Sequence, residues 1–352
     1  MFFNSQKNKT FMEREIYAQP KILSDILECY LKDDDVVMDL PDNVEKVLLV
    51  ASGSSYNCAR FGADLFDKIA NIEAGAIYSG EFLLKSVIPS NERILYIFIT
   101  QSGETSDTNK ALMKAKENNL RTCCITNYEN SSIWKLADYK INCHAGEEKS
   151  IAATKSLTAQ ALCLSLIVLK YAKLKGIDIK SYVDSIKNLP CEINNALSLR
   201  SKIQKYSKML LSYDNVIVSA DGLDYALARE ASLKMKETTY LNINSYILGE
   251  FMHGHVAVLN KKSAFIYIVT DNLNYAATKN LNKIKKDYKP LILLIGNQND
   301  KINVNINLNL NIENVVVKSF AIIVIAQLFA LEMAMRLHHN VDKPKGLEKV
   351  IQ

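Results

Sequence analysis

Lys46-Val-Leu-Leu-Val-Ala-Ser-Gly-Ser-Ser55 is the stretch that decides the fold of this chain. Its first six residues form a short, continuous apolar run, as expected of a strand buried on both faces of a parallel sheet. The run ends in the loop Ser52-Gly-Ser-Ser55 and passes into a helical segment. A second strand at 93–100 leads into the loop Gln101-Ser-Gly-Glu-Thr105 and another helix. This alternation predicts an α/β fold with a doubly wound, mostly parallel sheet.

The same pattern restarts in the second half of the chain. A strand at 215–220 is followed by the turn Asp221-Gly222 and by a helix that contains Glu230. We therefore predict two flavodoxin-like parallel-sheet subdomains that arose by duplication. The N-terminal helix has Pro20 near its predicted start. The predicted divisions are an N-terminal helical segment at 1–40, a first subdomain at 41–175, a helical connector at 176–210, a second subdomain at 211–340 and a C-terminal tail at 341–352. Within the second subdomain, 297–313 is predicted to be a loop plus an edge strand.

Composition narrows the class of protein. The 352 residues are 48% hydrophobic and 23% charged, which allows a large core. The net charge of +5 comes from scattered lysines, so it argues against nucleic-acid binding and suits a small anionic ligand. The seven cysteines, an odd number, favour free thiols in a reducing compartment.

Nothing in the sequence indicates a membrane protein. The N-terminus lacks the apolar core of a signal peptide. The longest apolar run, 320–335, is interrupted by Gln327 and Glu332, so we interpret it as a buried helix. We expect a soluble, cytoplasmic protein without a nucleic-acid or membrane partner.

Predicted helices follow three segments: Ser52-Gly-Ser-Ser55, Thr100–Thr105 and Ala152-Ala-Thr-Lys155. Their backbone N–H groups and hydroxyls can hold a phosphate at a helix N-terminus without a lysine or arginine. Helix capping alone is the alternative explanation of each segment taken singly. The absence of GxxxxGK[ST] and GxGxxG patterns argues against a nucleotide. The candidate phosphate-binding residues are Ser52, Gly53, Ser54, Ser55, Thr100, Gln101, Ser102, Gly103, Thr105, Ala152 and Ala153.

The helix that follows the turn Asp221-Gly222 carries a stripe of charge. At 100° per residue, Glu230, Lys234 and Glu237 project from one side, and His253 follows less than two dozen residues later. A carboxylate, an ammonium and an imidazole together can perform general acid–base chemistry. The alternative is a solvated helix face with ordinary ion pairs. The residues predicted to pack inward are Ala228, Ala231 and Met235.

These motifs resemble the SIS (sugar isomerase) domain family, and in particular the isomerase half of glucosamine-6-phosphate synthase. The first glycine loop is similar to that of the family, Thr100-Gln-Ser-Gly-Glu-Thr105 to its SQSGET motif and Ile151-Ala-Ala-Thr-Lys155 to its VASTK motif. Leu233-Lys-Met-Lys-Glu237 resembles its LKLKE helix, and the segments 249–255 and 342–349 resemble its GELKHGP loop and its C-terminal tail. The resemblance extends from about residue 12 to the end.

The resemblance implies a role for each matching residue. Glu237 would be the base that moves a proton between C1 and C2 of a sugar phosphate. Lys349 would form a Schiff base with the open-chain ketose, and His253 would open the sugar ring. Lys234 and Glu230 would position the sugar and polarise the enediolate. The family's histidine comes from a neighbouring subunit, so a homodimer is implied. We expect no cofactor and no metal, because the five histidines lack partners at ligand spacing.

Departures from the family pattern leave the reaction open. Ala153 replaces a serine, and His255 replaces a proline, adding either a titratable group near the site or a surface histidine. The sequence begins Met-Phe-Phe without an amidotransferase segment, so we expect that it is not by itself a glutamine-dependent synthase. An amino-sugar-phosphate deaminase or isomerase is the first hypothesis. The alternatives are a deglycase of 6-phosphorylated fructosamine compounds and a phosphosugar sensor without catalysis.

Overall fold

A computed structural model describes residues 9–297 and 301–349. They divide into two compact units. The N-terminal unit consists of Ala18–Pro190 together with residues 348 and 349, and the C-terminal unit of Cys191–Leu347 together with residues 9–17. Each unit contains a five-stranded sheet whose neighbouring strands all run parallel. The prediction of two doubly wound parallel sheets is therefore confirmed.

The chain starts with helix α1 (Phe11–Tyr30) and a small hairpin of β1 (Leu31–Lys32) and β2 (Asp35–Val36). The prediction of helical structure through residue 40 is wrong beyond Tyr30. Asp33 and Asp34 adopt φ values of 47° and 64°, which a two-residue hairpin turn requires. The chain thus reverses direction within the segment for which the sequence pattern predicts a helix.

The start of α1 also differs from the prediction. Asp342 accepts hydrogen bonds from the backbone N–H groups of Phe11 at 2.9 Å and Met12 at 2.8 Å, so it caps the helix from the far end of the sequence. Pro20 consequently lies in the middle of α1 and not near its start. A proline at this position removes one helical hydrogen bond, and α1 continues to Tyr30 despite the loss.

The sheet of the N-terminal unit has the strand order β4-β3-β5-β6-β7. Its central strands are buried along most of their length, which explains their continuous apolar sequences. The strands are β3 (Lys46–Ala51), β4 (Glu73–Tyr78), β5 (Ile94–Ile99), β6 (Arg121–Thr126) and β7 (Tyr139–Asn142). The helices are α2 (Gly53–Ala70), α3 (Ser79–Leu84), α4 (Ser106–Glu117), α5 (Ser132–Leu136), α6 (Lys155–Leu174) and α7 (Lys180–Lys187).

The sheet of the C-terminal unit has the order β9-β8-β10-β11-β12. Its strands are β8 (Asn215–Ala220), β9 (Asn244–Ile247), β10 (Ser263–Val269), β11 (Leu291–Gly296) and β12 (Ile306–Asn309). Its helices are α9 (Arg200–Leu210), α10 (Asp224–Thr239), α11 (Leu248–Phe251), α12 (Tyr275–Asp287) and α13 (Val315–Arg336), with a 3-10 turn at His255–Val258. Helix α8 (Leu189–Ser198) begins at the end of the N-terminal unit. The predicted edge strand within 297–313 is β12, although 298–300 lie outside the described residues.

Both sheets have the same order when their strands are numbered along the chain, namely 2-1-3-4-5. In this arrangement the helices that follow the first and third strands lie on opposite faces of the sheet. The crevice between the carboxyl ends of these two strands is the usual ligand-binding position. In the N-terminal unit those ends lead into Ser52-Gly-Ser-Ser55 and Thr100–Thr105. In the C-terminal unit they lead into Asp221 and Thr270.

Two helices, α6 and α13, are long and apolar enough to cross a bilayer by length and composition. Buried residues make up 83% and 94% of their most apolar windows, as in the core helices of a folded domain. The polar residues of α13 are accommodated in this interior: Glu332 accepts a hydrogen bond at 2.7 Å from Nε of Arg200, whose Nη1 also binds Glu13. The predicted buried helix in this region is confirmed.

Candidate active site

Helix α10 places two carboxylates and one ammonium in direct contact. Nζ of Lys234 lies 2.5 Å from Oε2 of Glu237 and 3.6 Å from Oε1 of Glu230. Lys234 and Glu230 are only 1% and 3% exposed, whereas the Glu237 side chain is 20% exposed. The interpretation of this stripe as a solvated helix face is therefore wrong. The outer carboxylate alone can meet a ligand from solvent, and the other two groups lie behind it.

The burial of Lys234 has an energetic consequence. A buried ammonium is strongly destabilising unless nearby anions compensate for its lost hydration. Two carboxylates within 4 Å provide that compensation. The predicted inward face, Ala228, Ala231 and Met235, is also buried, so α10 is enclosed around most of its circumference. The charges are thus held in a fixed geometry by the packing of the helix.

The N-terminal end of α10 is fixed to the ends of neighbouring strands. Asp224 accepts hydrogen bonds from the backbone N–H of Thr270 at 2.8 Å and from its hydroxyl at 2.5 Å. Asp221 accepts one from the hydroxyl of Tyr267 at 2.9 Å, and burial together with this carboxylate raises the pKa of Tyr267. The ligand-binding edge of this sheet is therefore occupied by the chain's own carboxylates.

His253 lies in the turn after α11. Its backbone N–H donates to the carbonyl of Glu250 at 3.0 Å, and the side chain is exposed. Gly254 adopts a φ of 126°, which turns the chain sharply after the histidine. The ring of His255 packs against that of Tyr246 at a tilt of 36°, with the ring centroids 4.5 Å apart. Within the described residues no hydrogen bond or ion pair joins the side chains of His253 and Glu237.

The first glycine loop forms the start of α2. Gly53 adopts a φ of 58°, and the hydroxyl of Ser55 donates to Oε1 of the buried Gln160 on α6 at 3.0 Å. The first N–H groups of a helix have no helical carbonyl to bind, and the helix dipole makes them attractive to anions. Because Gly53 is exposed and Ser54 half-buried, this helix end is open to a ligand.

Hydrogen bonds made by its carbonyls and hydroxyls fix the conformation of the second loop, Thr100–Thr105. The carbonyl of Gln101 accepts a hydrogen bond from the backbone N–H of Asn127 at 3.1 Å, and the hydroxyls of Thr100 and Thr105 lie 2.8 Å apart. Gly103 has a φ of 69°, and a Cβ there would lie only 2.1 Å from Oγ of Ser131. The loop is thus packed tightly enough that only glycine fits at this position.

The third segment, Ile151-Ala-Ala-Thr-Lys155, differs from the other two. Helix α6 begins at Lys155, and its first turn is capped by the carboxylate of Glu148. Oε1 of Glu148 accepts hydrogen bonds from the backbone N–H groups of Thr154 at 2.9 Å and Ser156 at 3.1 Å. Those two donors are not available to a phosphate. Ala152 is buried and Ala153 half-buried beside this cap.

Lys349 is bound to the same carboxylate. Its Nζ donates to Oε2 of Glu148 at 2.6 Å and to the carbonyl of Ser150 at 2.7 Å. Burial raises the pKa of Glu148, but Lys349 and the hydrogen bonds of the α6 cap outweigh burial and hold the pKa below its usual value. Lys349 is therefore anchored and is not a frayed terminal lysine.

The structure thus assembles the predicted residues in two groups. Glu230, Lys234 and Glu237 meet in the C-terminal unit, and the three loops and Lys349 belong to the N-terminal unit. The sequence interpretation missed Glu148, whose position six residues before Thr154 follows no periodic pattern. Among residues 9–297 and 301–349, no group of three His, Cys, Asp or Glu side chains is arranged to bind a metal ion.

Comparison with known proteins places this arrangement in a family. SIS domains match residues 42–170 and 209–337. The glutamine–fructose-6-phosphate aminotransferase (isomerizing) of Campylobacter jejuni is 32% identical over 97% of this chain, which spans 58% of the length of that relative. The C-terminal domain of glucosamine-fructose-6-phosphate aminotransferase from Francisella tularensis is 28% identical, with a TM-score of 0.91 over 97% of this chain and all of that one.

A second solved structure supports the fold only. Glucosamine-6-phosphate deaminase from Thermotoga maritima superimposes with a TM-score of 0.79 at 22% identity, over 97% of this chain and 99% of that one. The two matched segments contain the two parallel sheets described above. With matches over both halves, the chain belongs to the SIS domain family and carries two copies of the domain.

Proposed function

We propose that this protein moves a proton between C1 and C2 of a 6-phosphorylated amino sugar, converting glucosamine 6-phosphate and water into fructose 6-phosphate and ammonia. One observation carries the proposal: the partly exposed carboxylate of Glu237 is backed by the buried Lys234 and Glu230. Proton removal next to a carbonyl requires a positioned carboxylate, and the transition state gains from a nearby cation. The similarity to the aminotransferases supports amino-sugar phosphates as the substrate class.

The reaction follows from these groups in balanced steps. In the open-chain amino aldehyde, Glu237 takes the proton from C2, and the electron pair forms a C1–C2 enaminolate with its negative charge on O1. Return of that proton to C1, with transfer of one N–H proton to O1, gives an imine at C2. The neutral amine of Lys349 adds to the imine carbon and ammonia leaves, and water then hydrolyses the resulting Schiff base to the ketose phosphate and the free lysine. Lys234 stabilises the negative charge that develops on the sugar oxygen, and Glu230 balances the charge of Lys234.

The N-terminal unit would hold the phosphate. The exposed start of α2 and the hydroxyl-rich second loop present N–H and O–H donors at the ends of adjacent strands β3 and β5. Ser54, Ser55, Gln101, Ser102 and Thr105 are the proposed ligands. These donors bind a dianion without an arginine or lysine, which leaves the lysines of the chain for the chemistry at C1 and C2.

Lys349 and His253 complete the proposed site. The neutral amine of Lys349 would add to the C2 carbonyl of the ketose and release water, forming a Schiff base. His253 would move a proton during ring opening. Its exposed position suits a residue that serves the site of a second subunit, so we propose that the protein acts as a homodimer.

The test is a coupled assay of ammonia and fructose 6-phosphate release from glucosamine 6-phosphate. The wild-type protein should release both in equal amounts, and Glu237→Gln should lose on the order of 10²-fold or more in kcat with little change in substrate affinity. Glu117→Gln, an exposed residue at the end of α4, is the matched control and should retain full activity. Full turnover by Glu237→Gln would refute the assignment of the base. Failure of wild type to act on the amino sugar, with release from a phosphorylated fructosamine, would replace the deaminase by a deglycase.

A further inference from the structure

Glu148 is a buried carboxylate to which the proposed reaction gives no role. Its side chain is fully buried. Oε2 accepts hydrogen bonds from the hydroxyl of Ser156 at 2.7 Å and from Nζ of Lys349 at 2.6 Å, and Oε1 accepts the two backbone N–H bonds of the α6 cap. Both carboxylate oxygens therefore already accept hydrogen bonds, and one of the donors is the amine of the proposed Schiff base.

The surroundings keep this carboxylate charged. It lies at the N-terminus of a 20-residue helix, where the helix dipole favours an anion. A buried carboxylate also requires a counter-charge, and the ammonium of Lys349 supplies it. With five donors directed at its oxygens, Glu148 is too weak a base to accept a proton in turnover. Its contribution must come from its fixed charge and position.

We propose that Glu148 is a positioning residue that draws the C-terminal tail onto the N-terminus of α6 and holds Lys349 there as an ammonium. The proposal rests on the role of Lys349 given above. The carbonyl of Ser150, at 2.7 Å, provides a second acceptor, so that the Nζ group has a defined direction as well as a counter-ion. Lys349 is thus kept beside the third loop, and it must leave Glu148 and lose a proton before it can add to a carbonyl.

The neighbouring titratable groups do not offer another partner of this kind. Cys143 lies next to the end of β7, and burial, with the charge of Glu148, raises its pKa to about 12, so it stays a neutral thiol. Glu147 and Lys149 form their own exposed ion pair at 3.5 Å. Lys155, the first residue of α6, has the same sign of charge as Lys349. Glu148 is therefore the anion that pairs with Lys349 on this side.

Amine labelling measures this pair without reference to catalysis. Wild type and Glu148→Gln are exposed briefly to acetic anhydride between neutral and alkaline pH, and acetylation of Lys349 is followed by peptide mass spectrometry. Glu148→Gln removes the carboxylate that holds Nζ of Lys349 at 2.6 Å, so the amine is released and its labelling near neutral pH should rise on the order of tenfold. The exposed Lys261 is the internal reference, with unchanged labelling.

Two further variants keep the test decisive. Ser156→Ala removes one hydrogen bond from Glu148 but leaves its charge, so labelling of Lys349 should stay near the wild-type rate. Glu148→Asp keeps the charge on a shorter side chain and should give intermediate labelling even where Glu148→Gln folds poorly. Equal labelling of Lys349 in wild type, Glu148→Gln and Glu148→Asp would overturn the proposal.

Kinetics then connect the pair to turnover. In Glu148→Gln the phosphate loops are unchanged, so KM for glucosamine 6-phosphate should stay within about threefold, whereas kcat should fall on the order of tenfold or more. A fall of kcat at nearly constant KM is the result expected when the amine is no longer positioned. An unchanged kcat would count against the positioning role. Absence of turnover in wild type would refute the proposed function, while the labelling result would still decide whether Glu148 holds Lys349.

Discussion

At the scale of single residues, Lys234 is the cation that balances the two carboxylates of α10. Its ammonium is 1% exposed and contacts one buried and one partly exposed carboxylate. Buried ion pairs contribute little net stability when complete, but their disruption leaves a buried charge without compensation. This asymmetry separates two kinds of variant: those that remove one charge and those that remove a balanced pair.

We expect Lys234→Met to lower the free energy of unfolding by about 3–5 kcal/mol, because Glu230 loses its buried cation. The double variant Lys234→Met/Glu230→Gln removes the opposing charge as well and should recover more than half of that loss. Urea denaturation followed by circular dichroism measures both. If the double variant is as unstable as the sum of the two single variants, the two side chains are not coupled as the structure indicates.

Glu148 makes stability depend on acid pH. Burial raises its pKa, but Lys349 and the hydrogen bonds at the start of α6 together hold it below the ordinary 4.5. A group with a lowered folded-state pKa stabilises the fold above its unfolded pKa, and the stabilisation disappears as pH falls through the folded value. The stability advantage of wild type over Glu148→Gln should therefore be constant near neutral pH and shrink below about pH 4.5. Thermal denaturation at several pH values measures it, and a gap that widens with acid would contradict the sign.

At this scale the sequence predicts which residues share a helix face, but it does not predict contacts that depend on tertiary packing. Glu230, Lys234 and Glu237 have helical spacing, so their common direction follows from 100° per residue. Their burial does not follow, because it depends on what packs against α10. Glu148 and Lys349 are 201 positions apart, and only the folded chain brings them together.

At the scale of elements, the loops after β3 and β5 both use a glycine with positive φ, but for different reasons. Gly53 has open space where a Cβ would be, whereas at Gly103 a Cβ would collide with the side chain of Ser131. The first glycine is needed only for its backbone conformation. The second is also needed because another segment of the chain lies against it.

This difference predicts unequal effects of alanine at the two positions. Gly53→Ala should cost about 1–2 kcal/mol from the left-handed conformation alone. Gly103→Ala should cost more and weaken the binding of glucosamine 6-phosphate, since the loop must move away from Ser131. Ser131→Gly in the Gly103→Ala background should restore part of both. Thermal denaturation and titration calorimetry test this, and equal effects of the two alanines would show that the collision does not control the loop.

Apolar runs predict strands well where both faces of the sheet are covered. The runs at 46–51, 215–220 and 291–296 coincide with β3, β8 and β11. The edge strand β9, Asn-Ser-Tyr-Ile, is not apolar and was not predicted, because one side of an edge strand meets solvent.

At the scale of the whole molecule, the two units share one strand order but differ at the edge where ligands bind. In the N-terminal unit that edge carries serines, threonines and glycines, with helix ends open to an anion. In the C-terminal unit Asp221 and Asp224 already occupy the donors at the equivalent strand ends. The two copies of the domain have therefore diverged at this edge: one leaves its donors exposed, and in the other carboxylates of the chain itself bind them.

The proposed dimer makes a prediction that no single chain can fulfil. If His253 serves the site of a second subunit, His253→Ala and Glu237→Gln each inactivate the homodimer, but a mixed dimer pairs the intact Glu237 of one chain with the intact His253 of the other. Equal mixing with full subunit exchange makes half of the dimers mixed, with one working site in each, so activity should return to about a quarter of wild type. Denaturation and joint refolding of the two variants, followed by the ammonia assay, measures this recovery. Each variant refolded alone is the control, and no recovery in mixtures that contain mixed dimers would show that each chain uses its own histidine.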